Sequence, residues 1–432
     1  MQTITLEPLR WQDDPCRITV VANDSRPEVY YQVVNARHLE KICCGRPVEE
    51  LPRILPILAP AHHLTAALAL DRLFQIEPPE LAQNMRTALL QAQYCSAHLR
   101  RIFFLMTSCQ DPFADFHSIA PGISRPLISK RVLENIMHHA ALAQEAENIL
   151  GGRHDHPLTA TAGGVSRYLK EGHYQRLTDI CGVLVPYAQE LADFMRREIL
   201  SDGGMLAAWA TIDIPALAGL YLAQADQPIL TGPNGDGSQQ LDAPQLGDII
   251  ALQQEAWTYQ PFAYLKEKGW KGVEESQGLF QVGPLARFNA GQAAATPLAE
   301  AERQRMLECV GKPPVHKLTA AFGALAVELI QAAEILQNLS TPEMLTGPVL
   351  RSIPKNQTGS AWAALEAPQG MTWHHYRVDD DGIVQSVAVI DSRAANNALK
   401  CLLAKQVVGA ALEQKKDPAA IKASIAVALL PF

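Results

Sequence analysis

The first residues of the chain alternate between apolar and polar side chains in three short runs, TITLEPL, RITVVA and EVYYQVV. The turn-rich segments DDP and NDSRP separate these runs. A period of two places every second side chain on the same face of a strand. The pattern therefore predicts a small antiparallel sheet within residues 1–35.

Apolar residues then recur at helical spacing from residue 36 to about residue 200. Pro79 marks the start of one predicted helix, and Gly151-Gly152 marks the end of another. Pro186 predicts a kink in a third helix. The predicted helices cover residues 62–74, 80–108, 127–150 and 173–200.

The second half of the chain is less regular. Residues 201–314 are rich in Gly, Pro, Gln and Asp, which predicts loops with short strands and short helices. An apolar helix is predicted at residues 316–338, then a hairpin from residues 373–377 and 383–390, and finally two short helices. We therefore expect one α+β domain, mostly helical, with a core bundle of long helices and small peripheral antiparallel sheets. Its expected segments are 1–35, 36–200, 201–314 and 315–432.

Net charge, apolar runs and cysteine spacing exclude several classes of function. The 432 residues have a formal net charge of -8, so a nucleic-acid partner is not expected. A spanning helix needs roughly 18 uninterrupted apolar residues, and the sequence has no such run, so we expect no direct membrane insertion. The start MQTITLEPLR lacks the pattern of a signal peptide, which favours a cytoplasmic location. None of the eight cysteines forms a CxxC pair, which excludes a zinc site built from such pairs.

Five segments resemble the large subunit of nickel-iron hydrogenases, in the order found in that family. The family patterns are FE…GRP.EE.P, RICGVCPVSHHL…D, GGR.IHP, PGGV and EAPRG. The matching segments are LEK…GRP.EELP at 39–52, RILPILAPAHHL…D at 53–71, GGRHDHP at 151–157, GGV at 163–165 and EAPQG at 366–370. The resemblance spans nearly the whole chain and implies the fold of that subunit.

The resemblance also points to missing chemistry. The family holds nickel with two CxxC pairs, because soft thiolates suit nickel and can bridge to iron. Leu55 and Leu58 stand where the first pair is expected. The second pair belongs in the pattern DPC..C..H, whereas residues 425–432 read IAVALLPF. The family's magnesium ligand falls near Gln12 or Asp13, and its histidine partner is missing. We therefore expect no resident metal and no hydrogenase activity.

The resemblance also suggests roles for several other residues, and each of these residues has an alternative, purely structural explanation. Glu40 matches a proton-relay glutamate, or it is a solvent-facing carboxylate. Arg53 begins the segment that contains both leucines. His62 and His98 match family histidines near the active site, although a histidine on an apolar helix is more often a core side chain with a partner. The adjacent His374 and His375 should point to opposite sides of a strand.

Changes in the expected cavity alter its polarity. Gln369 replaces an arginine that contacts iron-bound cyanide in the family, and Ala97 replaces an aspartate found in some members. The cavity is therefore expected to be drier and nearly uncharged. The thiols of Cys43, Cys44 and Cys95 are the remaining candidates for holding an iron fragment. Cys43 and Cys44 are expected to share a helix face with Glu40, although a buried inert thiol is the more common state.

Three functions are consistent with these observations. The leading hypothesis is an assembly scaffold for the iron fragment with its cyanide and carbonyl ligands, similar to the large-subunit homologues HupK and HoxV, with hydrogenase maturation proteins as partners. Its iron fragment would be a transient guest. The alternative is a metal-free structural or electron-transfer subunit of a multisubunit redox complex, paired with an iron-sulfur small subunit. An active enzyme with altered metal chemistry is the least supported, since three thiols would have to replace four.

Overall fold

The computed structural model describes residues 2–6, 16–22, 28–35, 37–108, 129–201, 204, 212–223, 227–354 and 357–432. Gln12 and Asp13, the positions near the expected magnesium ligand, lie outside the described residues. The helices are α1 (Leu39–Cys43), α2 (Leu51–Ile54), α3 (Ala61–Leu73), α4 (Glu80–Ser108), α5 (Lys130–Gly151), α6 (Glu171–Phe194), α7 (Leu246–Ile249), α8 (Pro284–Asn289), α9 (Pro297–Val310), α10 (Leu318–Leu339), α11 (Pro342–Leu345), α12 (Ser392–Ala395), α13 (Asn397–Glu413) and α14 (Pro418–Leu429).

The strands form small sheets. The strands are β1 (Gln2–Leu6), β2 (Cys16–Ala22), β3 (Glu28–Val33), β4 (Ala160–Thr161), β5 (Gly164–Val165), β6 (Ala218–Leu222), β7 (Pro228–Thr231), β8 (Gln239–Gln240), β9 (Ile250–Gln253), β10 (Phe262–Leu265), β11 (Phe280–Gln281), β12 (Ser360–Ala367), β13 (Gly370–Val378) and β14 (Val384–Ile390). Hydrogen-bonded neighbours follow the orders β1-β2-β3, β4-β5, β10-β9, β11-β6-β7-β8 and β12-β13-β14. The predicted N-terminal antiparallel sheet is confirmed, with β2 in the centre.

Long helices make the core, as the sequence predicts. Helix α4 packs against α5 and α10, and α10 also packs against α6. The Ser129 hydroxyl caps the start of α5 by accepting a hydrogen bond from Val132 N–H. Gly152, with φ of 84°, ends the same helix in a conformation that glycine adopts at low cost. Helix α6 continues through Pro186 and passes into a π-helical turn at Met195–Ile199.

Helix α9 and strand β12 were not predicted individually from the sequence. Helix α9 lies inside the region predicted to be mostly loops. Its buried face includes the charged Glu302 beside Ala299, Met306 and Val310, so the sequence shows no continuous apolar face there. Strand β12 pairs with β13 along its whole length and makes the predicted hairpin part of a three-stranded sheet. Its sequence SAWAALEA is rich in alanine, which is depleted in strands.

Helix α10 is apolar on several faces. Among the described residues it is the one helix long and apolar enough to cross a membrane, yet 83% of its most apolar window is buried inside the protein. Its apolar character is therefore explained by packing against α4, α6, α8 and α9. With long core helices and small sheets, the α+β class is confirmed.

A buried ion pair joins α3 to α4. Arg86 donates to Asp71 at 2.5 Å, and both side chains are 7% exposed. Arg86 also donates to the carbonyl oxygens of Thr161 and Gly164, while Asp71 accepts from Gly163 N–H at 2.6 Å. The pair thereby connects two core helices to the β4–β5 turn.

Replacing Arg86 should show how much the fold depends on this pair. Arg86→Ala leaves the Asp71 carboxylate buried without its cation, so the free energy of unfolding should fall by about 3–5 kcal/mol. Urea denaturation followed by circular dichroism measures the change. Arg131→Ala, on the exposed surface of α5, is the control and should change stability by less than about 0.5 kcal/mol. Equal stability of the two variants would contradict the structural role of the pair.

Candidate functional site

Leu55 and Leu58 lie in the turn that connects α2 to α3. A single turn of 3-10 helix spans Leu55–Ile57, and Leu58 follows it. Leu55 is fully buried and Leu58 is 5% exposed. Both belong to an apolar cluster that also contains Cys43, Val48 and Tyr376. Packed apolar side chains therefore occupy the place where the resemblance positions two thiolates.

The three candidate cysteines do not converge on this place. Cys43 is buried in the cluster, and burial raises the pKa of its thiol to about 11, so it is protonated at neutral pH. Cys44 is exposed, and its Sγ donates to the carbonyl oxygen of Gln385 at 3.4 Å. Cys95 lies in the helical core on α4, in a different apolar cluster near Cys181.

The predicted shared face of Glu40, Cys43 and Cys44 is wrong. Helix α1 has only five residues, and it ends at Cys43. Glu40 and Cys44 face solvent whereas Cys43 points into the apolar cluster. A short terminal helix packed on one side cannot present all three residues to one cavity.

A cavity of about 570 Å³ opens beside Leu58. Leu58, Glu40 and Trp373 line it, whereas Leu55 and Cys43 do not. The expectation of a nearly uncharged cavity is wrong, because its lining includes Arg37, Glu40, Lys41, Lys266, Asp391 and Arg393. The apolar character predicted from the two leucines applies to the packed cluster behind this cavity.

Arg53 and Gln369 lie elsewhere. Arg53 is exposed, and its backbone carbonyl accepts a hydrogen bond from Nε2 of His156 at 2.6 Å. Gln369 is half-buried in the turn between β12 and β13. Neither residue lines the cavity beside Leu58.

His62 belongs to a chain of buried hydrogen bonds between α3 and β13. Its Nδ1 is 2.8 Å from Nε2 of His374, whose Nδ1 is 2.6 Å from the Tyr376 hydroxyl. The other nitrogen of His62, Nε2, is 3.9 Å from the carboxylate of Asp391, which lines the cavity. His375, the next residue on the strand, is only half-buried, so the two adjacent histidines do point to opposite sides.

The pKa shifts of the buried groups decide which atom donates in each of these hydrogen bonds. Burial lowers the pKa of His62 to about 4 and that of His374 well below its usual value, so both rings are neutral at pH 7. Burial opposes the charge on Asp391, but Arg393 and His62 lower its pKa to about 2. The carboxylate therefore favours the tautomer in which Tyr376 donates to His374, His374 to His62, and His62 towards Asp391.

His98 lies in a second buried network, on α4. Its Nε2 is 2.9 Å from the carboxylate of Glu328, and its Nδ1 has no partner among the described residues. Arg287 donates to both oxygens of Glu328, at 2.6 and 2.7 Å, and also to Glu366. Burial raises the pKa of Glu328, but the Arg287 guanidinium outweighs it and holds that pKa at about 2.

Sequence reasoning missed most of these polar partners. Arg287 lies in the region predicted to be mostly loops, and Asp391 follows the predicted hairpin. One signal was available: Glu328 interrupts the apolar helix segment AAFGALAVELIQ, and a carboxylate in such a place needs a buried cation. The contact between His62 and His374 could not be predicted in this way, because the two residues are 312 positions apart in the sequence.

The residues present do not fit a nickel-iron centre. Leu55 and Leu58 offer no donor atom, and the nearby Cys43 thiol is protonated. Across the described parts of the chain, no group of three His, Cys, Asp or Glu side chains is arranged to hold a metal ion. The polar chain that ends at Asp391 is thus a hydrogen-bonding site rather than a ligand set.

Comparison with known protein sequences finds hydrogenase subunits as relatives of this chain. No protein-family model matches the chain. It is 26% identical to an iron-sulfur subunit of the F420-non-reducing hydrogenase of Archaeoglobus profundus, over 96% of this chain and 90% of the relative. It is also 26% identical to subunit beta of the NAD-reducing hydrogenase HoxS of Cupriavidus necator, over 84% of this chain and 79% of the relative.

Solved structures share the fold. The chain superposes on a chain of an NAD+-reducing NiFe hydrogenase in the H2-reduced state with a TM-score of 0.87 and 23% identity, covering 100% of this chain and 98% of that one. For the Ni-Fe-Se hydrogenase of Desulfovibrio vulgaris Hildenborough the TM-score is 0.75 at 15% identity, covering 99% and 98%. The relatives found by sequence are therefore hydrogenase subunits, and the solved structures show that this chain has the fold of NiFe and Ni-Fe-Se hydrogenase chains.

Proposed function

We propose that this chain is a non-catalytic homologue of the hydrogenase large subunit that holds no nickel. One observation carries the proposal: Leu55 and Leu58 belong to a packed apolar cluster, and the Cys43 thiol in the same cluster is protonated. Thiolates are the donors that nickel and iron need in this family of sites. The chain then serves as a cytoplasmic, metal-free subunit of a multisubunit redox complex, paired with an iron-sulfur small subunit.

The proposed docking surface surrounds the cavity beside Leu58. Four large apolar side chains are exposed there: Val34, Ile57, Leu252 and Tyr259. Leu252 and Tyr259 line the cavity, and Arg37, which also lines it, donates to the carbonyl oxygen of Ile57. Val34 follows Val33, whose carbonyl accepts from Tyr259 N–H at 3.0 Å. Exposed apolar residues that gather around one opening are typical of a protein interface.

The second candidate function is the assembly scaffold for an iron fragment. One observation favours it: Cys44 is exposed at the end of α1, next to the cluster that contains Leu55. An exposed thiol is available to a transient guest, whereas the buried thiols of Cys43 and Cys95 are not. The scaffold therefore depends on Cys44.

The first test is metal content. Protein purified from a host that makes nickel-iron hydrogenases should contain no stoichiometric nickel and should not oxidise hydrogen, because the cluster offers no thiolate. Inductively coupled plasma mass spectrometry measures the nickel. A large subunit with both CxxC pairs, produced in the same cells, is the positive control. One nickel per chain would overturn the proposal.

The second test concerns docking. Ile57→Lys and Tyr259→Lys each place a charge in the proposed interface, so each should weaken binding of the iron-sulfur small subunit by at least about tenfold. Calorimetry or quantitative copurification measures the loss. Val183→Lys is the matched control, because Val183 is 47% exposed on α6 and Ile57 is 49% exposed. If all three variants bind equally well, this surface is not the interface.

The third test separates the two functions. Infrared spectra of protein produced with active hydrogenase maturation should show no cyanide or carbonyl stretches if the chain is a metal-free subunit. If it is a scaffold, these bands should appear and Cys44→Ser should remove them without changing the circular dichroism spectrum. Cys95→Ser, deep in the helical core, is the control. Bands that survive Cys44→Ser would contradict a scaffold that depends on this thiol.

A further inference from the structure

Another cavity, of about 240 Å³, is lined by aromatic rings and carboxylates. It lies between β3, the segment 255–274 and α13. Tyr30, Trp257 and Trp270 line it, with Val273 and Leu402 among the aliphatic lining. Five aromatic residues fall within positions 257–270, although aromatic residues make up only 6% of the chain. None of these residues takes part in the two polar networks.

The aromatic rings hold one another in place. The centroids of Tyr30 and Trp257 are 5.4 Å apart in an edge-to-face arrangement. The ring centroids of Trp257 and Phe262 are 5.6 Å apart, and those of Phe262 and Trp270 are 5.3 Å apart. Such contacts fix the orientation of each ring, and Phe262 is fully buried behind them. The cavity therefore has a preorganised aromatic wall.

The polar groups around this wall make the cavity acidic. Glu28, Glu255 and Glu274 line it together with one cation, Lys405. Lys405 is 2.5 Å from Glu274 and is thereby paired. Three carboxylates and one ammonium group give the lining an excess of negative charge, which disfavours an anionic ligand.

Two of the three rings that line the cavity use their hydrogen-bond donors on carboxylates. The indole Nε1 of Trp270 donates to Glu255 at 2.8 Å, and the Tyr30 hydroxyl donates to Glu28 at 2.9 Å. These bonds hold the carboxylates beside the rings. The electron density on the face of an aromatic ring attracts cations.

We propose that this cavity binds a small organic cation of the quaternary ammonium class. Such a cation needs no hydrogen-bond acceptor, because its charge is spread over methyl groups that contact aromatic faces. The cavity is smaller than the roughly 300–1,000 Å³ typical of sites for larger ligands, so the ligand is a compact one. A metal ion does not fit, since the described residues include no group of three ligating side chains arranged around one point.

The experiment compares two probes of nearly the same shape. Choline carries a trimethylammonium group, and 3,3-dimethylbutan-1-ol has the same shape without the charge. Titration of the wild-type protein, followed by tryptophan fluorescence and by calorimetry, should show choline binding at least about tenfold more tightly than the neutral alcohol. Equal binding of the two probes, or no choline binding at millimolar concentration, would overturn the proposal.

Variants then place the site. Trp270→Leu and Glu255→Gln should each weaken choline binding several-fold, the first by removing a ring face and the second by removing a charge. Tyr168→Leu is the control, because Tyr168 is an exposed aromatic residue outside the cavity. Glu255→Gln keeps an acceptor for Trp270, so it tests the charge without requiring the ring to move. Unchanged affinity in both cavity variants would show that choline binds elsewhere.

A trimethylammonium group also occurs on lipid headgroups. Sedimentation with phosphatidylcholine vesicles distinguishes the two sources. We expect the protein to bind free choline and to stay in the supernatant, because a cavity this small admits the headgroup cation without its glycerol ester. Cosedimentation that Trp270→Leu abolishes would reject the free ligand in favour of a lipid headgroup.

Discussion

Helix α3 buries four polar side chains, and the burial of polar groups requires that each finds a partner. His62 contacts His374, and Thr65 lies 2.7 Å from Thr372 on the same strand. His63 bonds the carbonyl of Pro52 through one ring nitrogen and accepts from the N–H of Ala160 through the other. Asp71 pairs with Arg86 on α4. A single helix thus fixes the positions of α2, α4, β13 and the strand pair β4–β5.

Apolar packing next to α3 holds the neighbouring elements together as well. The cluster at Leu55 joins α1, α2 and α3 to β13 and β14 through Cys43, Tyr376 and Val384. Leucine side chains fill this space with carbon, so close packing needs no cofactor there. The polar contacts of α3 keep the same elements in register from the other side. Side chains of this chain alone therefore hold α1, α2 and α3 against β13 and β14.

The sequence predicted the elements whose signals are local. Proline and glycine at helix ends, alternation in β1 to β3, and the Asp-rich turn before Gly382 are read from a few neighbouring residues. Strand β12 was missed because its register depends on β13, and α9 because Glu302 is buried beside Arg196. At the candidate site the two leucines were found to be buried, but the separation of Cys43 from Cys95 could not be read from spacing, since it depends on tertiary packing.

The two adjacent buried histidines of α3, His62 and His63, affect the stability of the fold in acid. Burial holds the pKa of His62 and of His63 at about 4, below the value of 6.5 that histidine has in an unfolded chain. Between pH 6.5 and 4 these two histidines therefore bind more protons in the unfolded chain than in the folded one, so their contribution to stability falls as the pH is lowered. Both rings lie on α3, between the helical core and the sheet of β12 to β14. Protonation of these two rings in mild acid thus weakens the junction between the helical core and that sheet.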